Sequence, residues 1–225
     1  MRENFSIRIS DDIEALIVAP EPVVALNLMG LSMLGDNAID TSKSVFWVDG
    51  IMGSLACFFA RLRIRRIPGR ALLAEVANYI GAKGGGPSVI VLGDCFPTPQ
   101  LTRMLGFAPV QIELPWFETS EDLKNISLKK ISGGSIVFIT IASPKQEILA
   151  EIIFEKKGAK CFCVGGALNM LEGIERRAPD FVSKVGLEWL YRLSHEPVRR
   201  LKRLLSSLPR GFMFLRHSKN IKRLT

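Results

Sequence analysis

Apolar residues along this chain fall into short continuous runs that alternate with segments of helical periodicity. Continuous runs rich in Val, Ile and Phe are typical of strands that are buried on both faces of a parallel sheet. They predict strands over 23–27, 44–49, 88–94, 109–115, 135–142 and 160–164. The remaining pattern predicts helices over 51–62, 70–82, 97–105, 144–157 and 180–193. Strands that alternate with helices indicate an α/β fold, a Rossmann-like and largely parallel sheet flanked by helices.

The ends of the predicted strands are where a binding site is expected, because open parallel sheets bind ligands beyond the carboxyl ends of their strands. The residues at those ends are Asn27, Asp49-Gly50, Gly93-Asp94, Ala142-Ser143 and Gly165-Gly166. Most are glycines or short polar residues, and glycine lets a ligand approach the backbone closely. We therefore expect the chemistry of this protein along that edge of the sheet.

The chain becomes strongly basic near its C-terminus. Residues 191–225 contain ten Lys and Arg residues against one acidic residue, Glu196, whereas the whole chain has a formal net charge of +8. Apolar residues recur at helical spacing between these cations and predict a second helix over about 198–205, between Pro197 and Pro209. We accordingly divide the chain into an α/β domain over 1–190 and a small, basic, helical appendage over 191–225.

The basic appendage favours an anionic partner, such as a membrane surface, a nucleic acid or a phosphorylated small molecule. Its cations and aromatic residues suit an interfacial membrane anchor, and they suit a solvated helix packed on the body equally well. The body carries no recognisable nucleic-acid-binding motif, so nucleic acid is not expected as a partner. No apolar stretch reaches the length of a membrane span and no signal-peptide pattern is present, which predicts a cytoplasmic protein docked on a membrane.

The four cysteines, Cys57, Cys95, Cys161 and Cys163, are expected to be reduced thiols. Cys161 and Cys163 lie in an apolar run that predicts a buried strand, where thiols pack as small hydrophobic groups. Both histidines of the chain lie on the basic appendage, so a set of zinc ligands is not expected and we predict no metal site. The sequence has neither a P-loop nor a GxGxxG fingerprint, which argues against an NTPase.

Asp49 is the first candidate for catalysis. It ends a buried apolar run and precedes Gly50, and a carboxylate in that place can act as a general base or bind a ribose, although an Asp-Gly pair also suits an ordinary turn. Further along, Lys145, Gln146 and Glu147 fall on the first turn of a helix whose N-terminus faces the ligand edge. The free amides of such an end suit phosphates or sugar hydroxyls, while Glu147 also suits the helix dipole alone.

Two further segments could contact a ligand. Gly165-Gly166 follows a predicted strand and either lets a ligand approach the backbone or is only a tight connection. Arg192, Arg199 and Lys202 would share one face of a continuous helix. Such a cluster could clamp a diphosphate by charge-assisted hydrogen bonds, or it could contact lipid headgroups.

Several motifs, taken in order, resemble the WecG/TagA/CpsF glycosyltransferases over residues 23 to 207. They are Asp49-Gly50, Arg66 and Gly69, Leu92-Gly93, Ser143-Pro144-Lys145-Gln146-Glu147, Val164-Gly165-Gly166-Ala167-Leu168-Asn169, Gly173, Arg177-Ala178-Pro179, Gly186-Leu187-Glu188-Trp189-Leu190-Tyr191-Arg192-Leu193 and Glu196-Pro197. Each motif is weak by itself. The Pro-Lys-Gln-Glu and Gly-Leu-Glu-Trp-Leu-Tyr-Arg-Leu blocks in this order are specific.

The resemblance implies an inverting, metal-independent hexosyltransferase that uses a UDP-sugar and no cofactor. The donor sugar would be N-acetylmannosamine, its uronic acid or a hexose, and the acceptor an undecaprenyl-diphosphate-linked sugar at the inner face of the cytoplasmic membrane. The products implied are wall polymer, capsule or enterobacterial common antigen.

The resemblance also assigns roles to residues of this chain. It makes Asp49 the general base and Gln146 a contact of the sugar. It also implies that Arg192, Arg199 and Lys202 bind the donor diphosphate. The other substrate-binding residues that it implies are Asn27, Arg66, Gly93, Gly165, Gly166 and Asn169.

One departure from the family's pattern keeps a second function open. Many relatives carry Thr-x-Asn where this chain has Ala25-Leu26-Asn27. The missing hydroxyl leaves room for a catalytically lapsed relative that acts only as a partner in a polysaccharide-assembly complex. Release of UDP from a donor separates that protein from an enzyme. The sequence leaves the oligomeric state open, with a homo-oligomer among the alternatives.

Overall fold

The computed structural model describes residues 6–35, 40–84, 86–115 and 122–175, and near the C-terminus 182, 190–191, 194, 201, 205–209, 211–212 and 218–224. The strands of this part of the chain are β1 Ile7–Ile9, β2 Val23–Leu26, β3 Val45–Val48, β4 Val89–Gly93, β5 Val110–Glu113, β6 Ile136–Ile139, β7 Lys160–Cys163 and β8 Ile221–Arg223. Its α-helices are α1 Ile13–Val18, α2 Leu28–Gly35, α3 Gly50–Phe59, α4 Gly69–Lys83, α5 Pro99–Leu105, α6 Lys145–Lys157 and α7 Ala167–Leu171. Short 3₁₀ turns lie at Thr41–Lys43, Asp122–Asn125 and Ser218–Asn220.

All eight strands form one sheet in the order β5-β4-β6-β7-β2-β3-β1-β8, and each neighbouring pair is parallel. The predicted α/β fold with a Rossmann-like sheet is therefore confirmed. The six predicted strands and the first four predicted helices are all present, with ends that shift by a few residues. The predicted helices over 180–193 and 198–205 fall almost entirely outside the described residues.

The sheet has a hydrophobic core on each face, as expected when every strand is apolar on both sides. One core packs β-strand side chains such as Leu26 and Val48 against α2, α3 and α6. The other packs alternate positions, among them Trp47 and Phe138, against α1, α4, α5 and α7. The fold is thus a three-layer sandwich whose helices cover both faces of the sheet.

The sequence did not predict the strands β1 and β8, which form one edge of the sheet. Each has three residues, and β8 lies inside the segment assigned to the basic appendage. Residues 7, 8 and 9 pair with 221, 222 and 223, so the end of the chain returns to the sheet. Deleting the appendage would therefore also remove an edge strand, and point substitutions are the cleaner way to examine it. The division at residue 190 otherwise stays a prediction.

Lys160 is a buried lysine at the start of β7, at the edge of the sheet opposite the predicted site. Its side-chain Nζ donates to the backbone oxygens of Ala19 and Glu21, each at 2.6 Å. Burial lowers the pKa of Lys160 to about 7. In the unfolded chain the lysine pKa is about 10.4, so between these values only the unfolded state keeps the proton. The free energy of unfolding should therefore rise with pH above 7.

We expect Lys160→Met to remove this pH dependence. In the wild type the free energy of unfolding should rise by about 1–2 kcal/mol between pH 7 and pH 8.5 through this group. Buried thiols act in the opposite direction at higher pH, because burial raises the pKa of Cys161 to about 12. Urea unfolding of both proteins at the two pH values isolates the contribution of Lys160 to the pH dependence, since both proteins contain the same thiols. Parallel pH profiles for the two proteins would contradict the expectation.

Candidate active site

Asn27 and Asp49 meet at the carboxyl ends of the adjacent strands β2 and β3. Asn27 Nδ2 donates to Asp49 Oδ2 at 3.5 Å, and Asn27 Oδ1 accepts from the backbone N–H of Gly30 at 3.0 Å. The second bond fixes the orientation of the amide, so that its NH₂ group faces the carboxylate. Asp49 is the N-cap residue of α3, but its side chain makes no capping hydrogen bond to that helix. Its carboxylate is partly exposed and is held at the ligand edge of the sheet.

The segment that leads from α3 to α4 returns to the same strand end. The backbone N–H of Ile67 donates to Val48 O at 2.9 Å, and the buried indole of Trp47 donates to Ile67 O at 3.2 Å. These bonds place the backbone of Arg66, a partly exposed residue, next to the end of β3, the strand that Asp49 follows. The backbone of an arginine predicted from the sequence thus lies near the strand end that carries the candidate base.

Gln146 forms a buried brace between two loops of the ligand edge. Its side chain is only 6% exposed. Nε2 donates to Ser143 Oγ at 2.8 Å and to Glu147 Oε1 at 2.9 Å, and Oε1 accepts from the backbone N–H of Gly165 at 2.9 Å. Ser143 Oγ in turn donates to Glu147 Oε1 at 2.7 Å. Both amide hydrogens of Gln146 therefore bind protein atoms, and one of the two lone pairs of its Oε1 binds Gly165.

The loop after β7 is the other half of this brace. Gly165 has φ of +50°, in the left-handed region that favours glycine, and this conformation turns its N–H toward Gln146. Gly166 is exposed and is the N-cap residue of α7, and a Cβ added there would lie 3.4 Å from Glu175 Oε2. Asn169 lies in α7, where its backbone oxygen accepts from Ile174 and Glu175. Hydrogen bonds thus hold the chain at Gly165, through Gln146, and after Gly166, through the backbone oxygen of Asn169.

Gly93 ends β4, beside the point in the sheet where the order of successive strands reverses. From β4 the chain passes through α5, on one face of the sheet, to the edge strand β5. From the neighbouring β6 it passes through α6, on the other face, to β7 on the opposite side. Such a topological switch point is where open α/β sheets bind their ligands. Gly93 is buried there, and a Cβ at this position would lie 2.1 Å from Thr140 Oγ1. The glycine therefore permits a close contact between β4 and β6.

The predicted residues thus fall into groups along one edge of the sheet. Asn27 and Asp49 are in direct contact, the backbone of Arg66 lies near the end of β3, and Gln146 contacts Gly165. Gly93 lies four strand positions from Asp49, a span of about 19 Å at the usual spacing of neighbouring strands. The three cations of the predicted diphosphate clamp, Arg192, Arg199 and Lys202, lie outside the described residues.

Two long helices direct their N-terminal ends at this edge. α6 has 13 residues and follows β6, and α4 has 15 residues and follows the segment beside the end of β3. The start of α4 also approaches α7, since a Cβ at Gly69 would lie 3.4 Å from Ala167 Cβ. Free N–H groups and partial positive charge at helix N-termini favour anions such as phosphate. The edge therefore combines a carboxylate with an environment suited to a diphosphate.

The sequence missed the role of Ser143 and Glu147 in holding Gln146. Glu147 is 7% exposed, and the sequence offered it only as a partner of the helix dipole or as a member of a family motif. Its bond to Gln146 links neighbouring residues of the chain, but the brace acts through Gly165, 19 residues away. A contact of that kind leaves no periodic signal in the sequence.

We expect Gln146→Leu to destabilise the folded protein even when no donor is present. The variant removes the N–H donor to the buried carboxylate of Glu147, a loss worth about 1–3 kcal/mol, and takes one of two acceptors from the N–H of Gly165, which keeps its bond to Ile139 O. Urea unfolding measures the change, and Gln100→Leu, on the first turn of α5, is the matched control. If Gln146 served only to contact a sugar, the variant would keep the unfolding free energy of the wild type and change only the KM for the donor.

Neither a cluster of metal ligands nor a membrane-spanning helix is present among the described residues. This part of the chain holds no group of three or more His, Cys, Asp or Glu side chains placed to bind a metal ion. Over the same residues, no helix has both the length and the apolar character to cross a bilayer. All four cysteines are free thiols, as the sequence predicted, with Cys95 exposed and the other three buried.

Comparison with known protein families gives one match that covers nearly the whole chain. The model of the glycosyl transferase WecG/TagA/CpsF family matches residues 8–224. The match begins within β1 and ends just after β8, so it includes both edge strands that the sequence did not predict. It also extends beyond residues 23–207, the range over which the sequence motifs of the family occur.

Proposed function

This chain belongs to the glycosyl transferase WecG/TagA/CpsF family, whose members are glycosyltransferases of cell-surface polysaccharide synthesis, and we propose that it transfers a sugar from a UDP-sugar to a lipid-linked acceptor. The sugar is N-acetylmannosamine, its uronic acid or a hexose. The acceptor is an undecaprenyl-diphosphate-linked sugar at the inner face of the cytoplasmic membrane. The transfer inverts the configuration of the sugar and uses neither a metal ion nor a cofactor.

The observation that carries this proposal is the contact between Asn27 and Asp49. A direct inverting transfer needs one base, which takes the proton of the acceptor hydroxyl while the nucleotide leaves from the opposite face of the sugar. Asp49 Oδ2 is held by Asn27 Nδ2 at the ligand edge, and Asn27 is itself fixed by Gly30. The carboxylate is therefore positioned before the substrate binds, which is what general-base catalysis requires.

The leaving UDP needs positive charge, because negative charge develops on its diphosphate as the glycosidic bond breaks. The N-terminal ends of α4 and α6 and the backbone of Arg66 lie along the edge where the diphosphate would bind, and Arg66 supplies a cation there in the proposal. Arg192, Arg199 and Lys202 complete this environment in the proposal, as a clamp contributed by the basic C-terminal segment. The contacts of Gly93, Gly165, Gly166 and Asn169 with the donor would be made mainly through the backbone.

Binding of nucleotide sugars tests the donor class. Thermal unfolding of the full chain should show stabilisation by UDP and greater stabilisation by one UDP-sugar among N-acetylmannosamine, N-acetylmannosaminuronic acid and glucose derivatives. ADP-glucose and GDP-mannose serve as controls for recognition of the uracil nucleobase and should have little effect. If well-folded protein responds to no uridine nucleotide in the presence of membranes, the lapsed assembly partner becomes the better account.

A further inference from the structure

Apart from Ser54, every residue of α3 is apolar, which is unusual for a helix on the outside of a protein. Its inner face consists of Gly53, Ala56 and Cys57, which are buried against the sheet. Its outer face carries Ile51, Leu55, Phe58 and Phe59, at intervals of four, three and one residues that place them on one side of the helix. We call these four residues the α3 stripe.

The α3 stripe is open to solvent at its two ends. Phe58 is 74% exposed and Phe59 56% exposed, and Ile51, the second residue of the helix, is 41% exposed. The two phenylalanine rings form an edge-to-face pair with centroids 5.8 Å apart. Adjacent large apolar side chains that remain exposed mark an interaction surface more often than isolated ones do.

Positive charge predominates around the α3 stripe, although the acidic Asp11, which accepts from the backbone N–H of Arg65 and pairs with Arg223, is also nearby. Residues 50–66 contain four arginines and no acidic residue. Arg61 and Arg63 are exposed and follow the helix directly, and the backbone N–H of Arg61 donates to Phe58 O at 3.0 Å. The 3₁₀ turn at Ser218–Asn220, which includes Lys219, packs against α3 from the neighbouring edge of the sheet. Exposed aromatics are therefore bordered by cations.

We propose that the α3 stripe, with Arg61 and Arg63, docks the body of this protein on an anionic lipid surface. Phenylalanine side chains enter the boundary between headgroups and acyl chains, while arginines pair with anionic headgroups beside them. This contact is made by residues of the α/β body, and the turn Ser218–Asn220 of the basic C-terminal segment lies beside it.

Charge and packing favour a bilayer over the two protein occupants of this surface. A second copy of the chain, packed through the same stripe about a two-fold axis, would bring the arginines of one protomer toward those of its partner. In the C-terminal segment of the same chain, the turn Ser218–Asn220 packs against α3 and leaves Phe58 and Phe59 exposed, so this turn does not cover the stripe. An anionic bilayer is attracted by the same cations that disfavour a second copy.

Because the α3 stripe begins next to Asp49, docking would bring the membrane close to the candidate base. This step rests on the proposed function. Ile51 lies two residues after Asp49, and the ten-residue helix extends about 15 Å from it. A bilayer in contact with the stripe would lie alongside the candidate base. A lipid-linked acceptor whose diphosphate remains in the headgroup layer would then reach Asp49 without leaving the membrane.

Vesicle flotation of the full chain tests the proposal. We expect Phe58→Ser/Phe59→Ser to lower the partition coefficient for phosphatidylglycerol-containing vesicles about tenfold or more, because it removes two inserted aromatic side chains. Arg61→Ser/Arg63→Ser should weaken binding to these vesicles and change binding to pure phosphatidylcholine vesicles little. Val18→Ser is the matched control, since Val18 is 71% exposed on α1, on the other face of the sheet.

Equal partitioning of the double phenylalanine variant and the Val18→Ser control would overturn the proposal. A dimeric wild type that becomes monomeric in the double variant, with unchanged vesicle binding, would also overturn it and would assign the stripe to a second copy. Binding of UDP-sugars is measured separately without vesicles. Loss of that binding would refute the proposed function and leave the lipid contact standing.

Discussion

Replacing Asp49 with asparagine is expected to lower the rate of sugar transfer by a factor of about 10²–10⁴, the usual contribution of a general base. Asparagine keeps the size of the side chain and can still accept a hydrogen bond from Asn27, but it cannot take a proton from the acceptor hydroxyl. Binding of the donor should change little, because the base acts on the acceptor. The loss should therefore appear in kcat and only weakly in the KM for the donor.

The measurement for this prediction is UDP release by the purified variant under saturating donor and acceptor. Asp12→Asn is a suitable control, because Asp12 is an exposed N-cap whose Oδ1 accepts from Glu14 N, and asparagine caps helices equally well. The control should retain wild-type turnover. An Asp49→Asn enzyme with near-normal kcat would show that another group takes the proton.

Replacing Gly53 with alanine is expected to destabilise the protein by about 3 kcal/mol or more. Gly53 is where α3 touches the backbone of β2, and a Cβ there would lie 1.9 Å from Leu26 O and 3.2 Å from a methyl group of Val48. Backbone atoms cannot rotate away from this contact, so the helix itself must move. Since α3 begins directly after Asp49, the same movement should displace the candidate base from Asn27.

Gly134→Ala is the matched control for this substitution, because Gly134 is exposed and a Cβ there meets no atom within 4 Å. Urea or thermal unfolding of the two variants should show a large loss for position 53 and almost none for position 134. Similar stabilities for both variants would mean that α3 can shift away from β2 at little cost in free energy. The contact between α3 and β2 would then not fix the position of Asp49.

The central sheet was predictable because its strands are buried on both faces and so appear as continuous apolar runs. The edge strands β1 and β8 have only three residues each, and the sequence Ile221-Lys222-Arg223 looks like part of a basic tail. Their pairing depends on a contact between the two ends of the chain, more than 200 residues apart. Local pattern carries no information on a contact of that range.

The candidate site was predictable to the extent that it depends on strand ends. Asn27 and Asp49 follow neighbouring strands, and the rule for parallel sheets places both at one edge. The return of Arg66 to that edge depends on the bond from Ile67 to Val48, and the burial of Gln146 depends on Gly165, so neither could be read from spacing. The end of α3 at Phe59, three residues earlier than predicted, follows from the left-handed conformation of Arg61, with φ of +57°.

The most direct test of the central claim is UDP release by the full chain, given the UDP-sugar that stabilises it most and a short-chain lipid-diphosphate-linked sugar as acceptor. The account predicts UDP release that depends on the acceptor, together with a product in which the new glycosidic bond has the opposite anomeric configuration to the donor. Well-folded protein that binds the donor but releases no UDP with any acceptor of this class would contradict it.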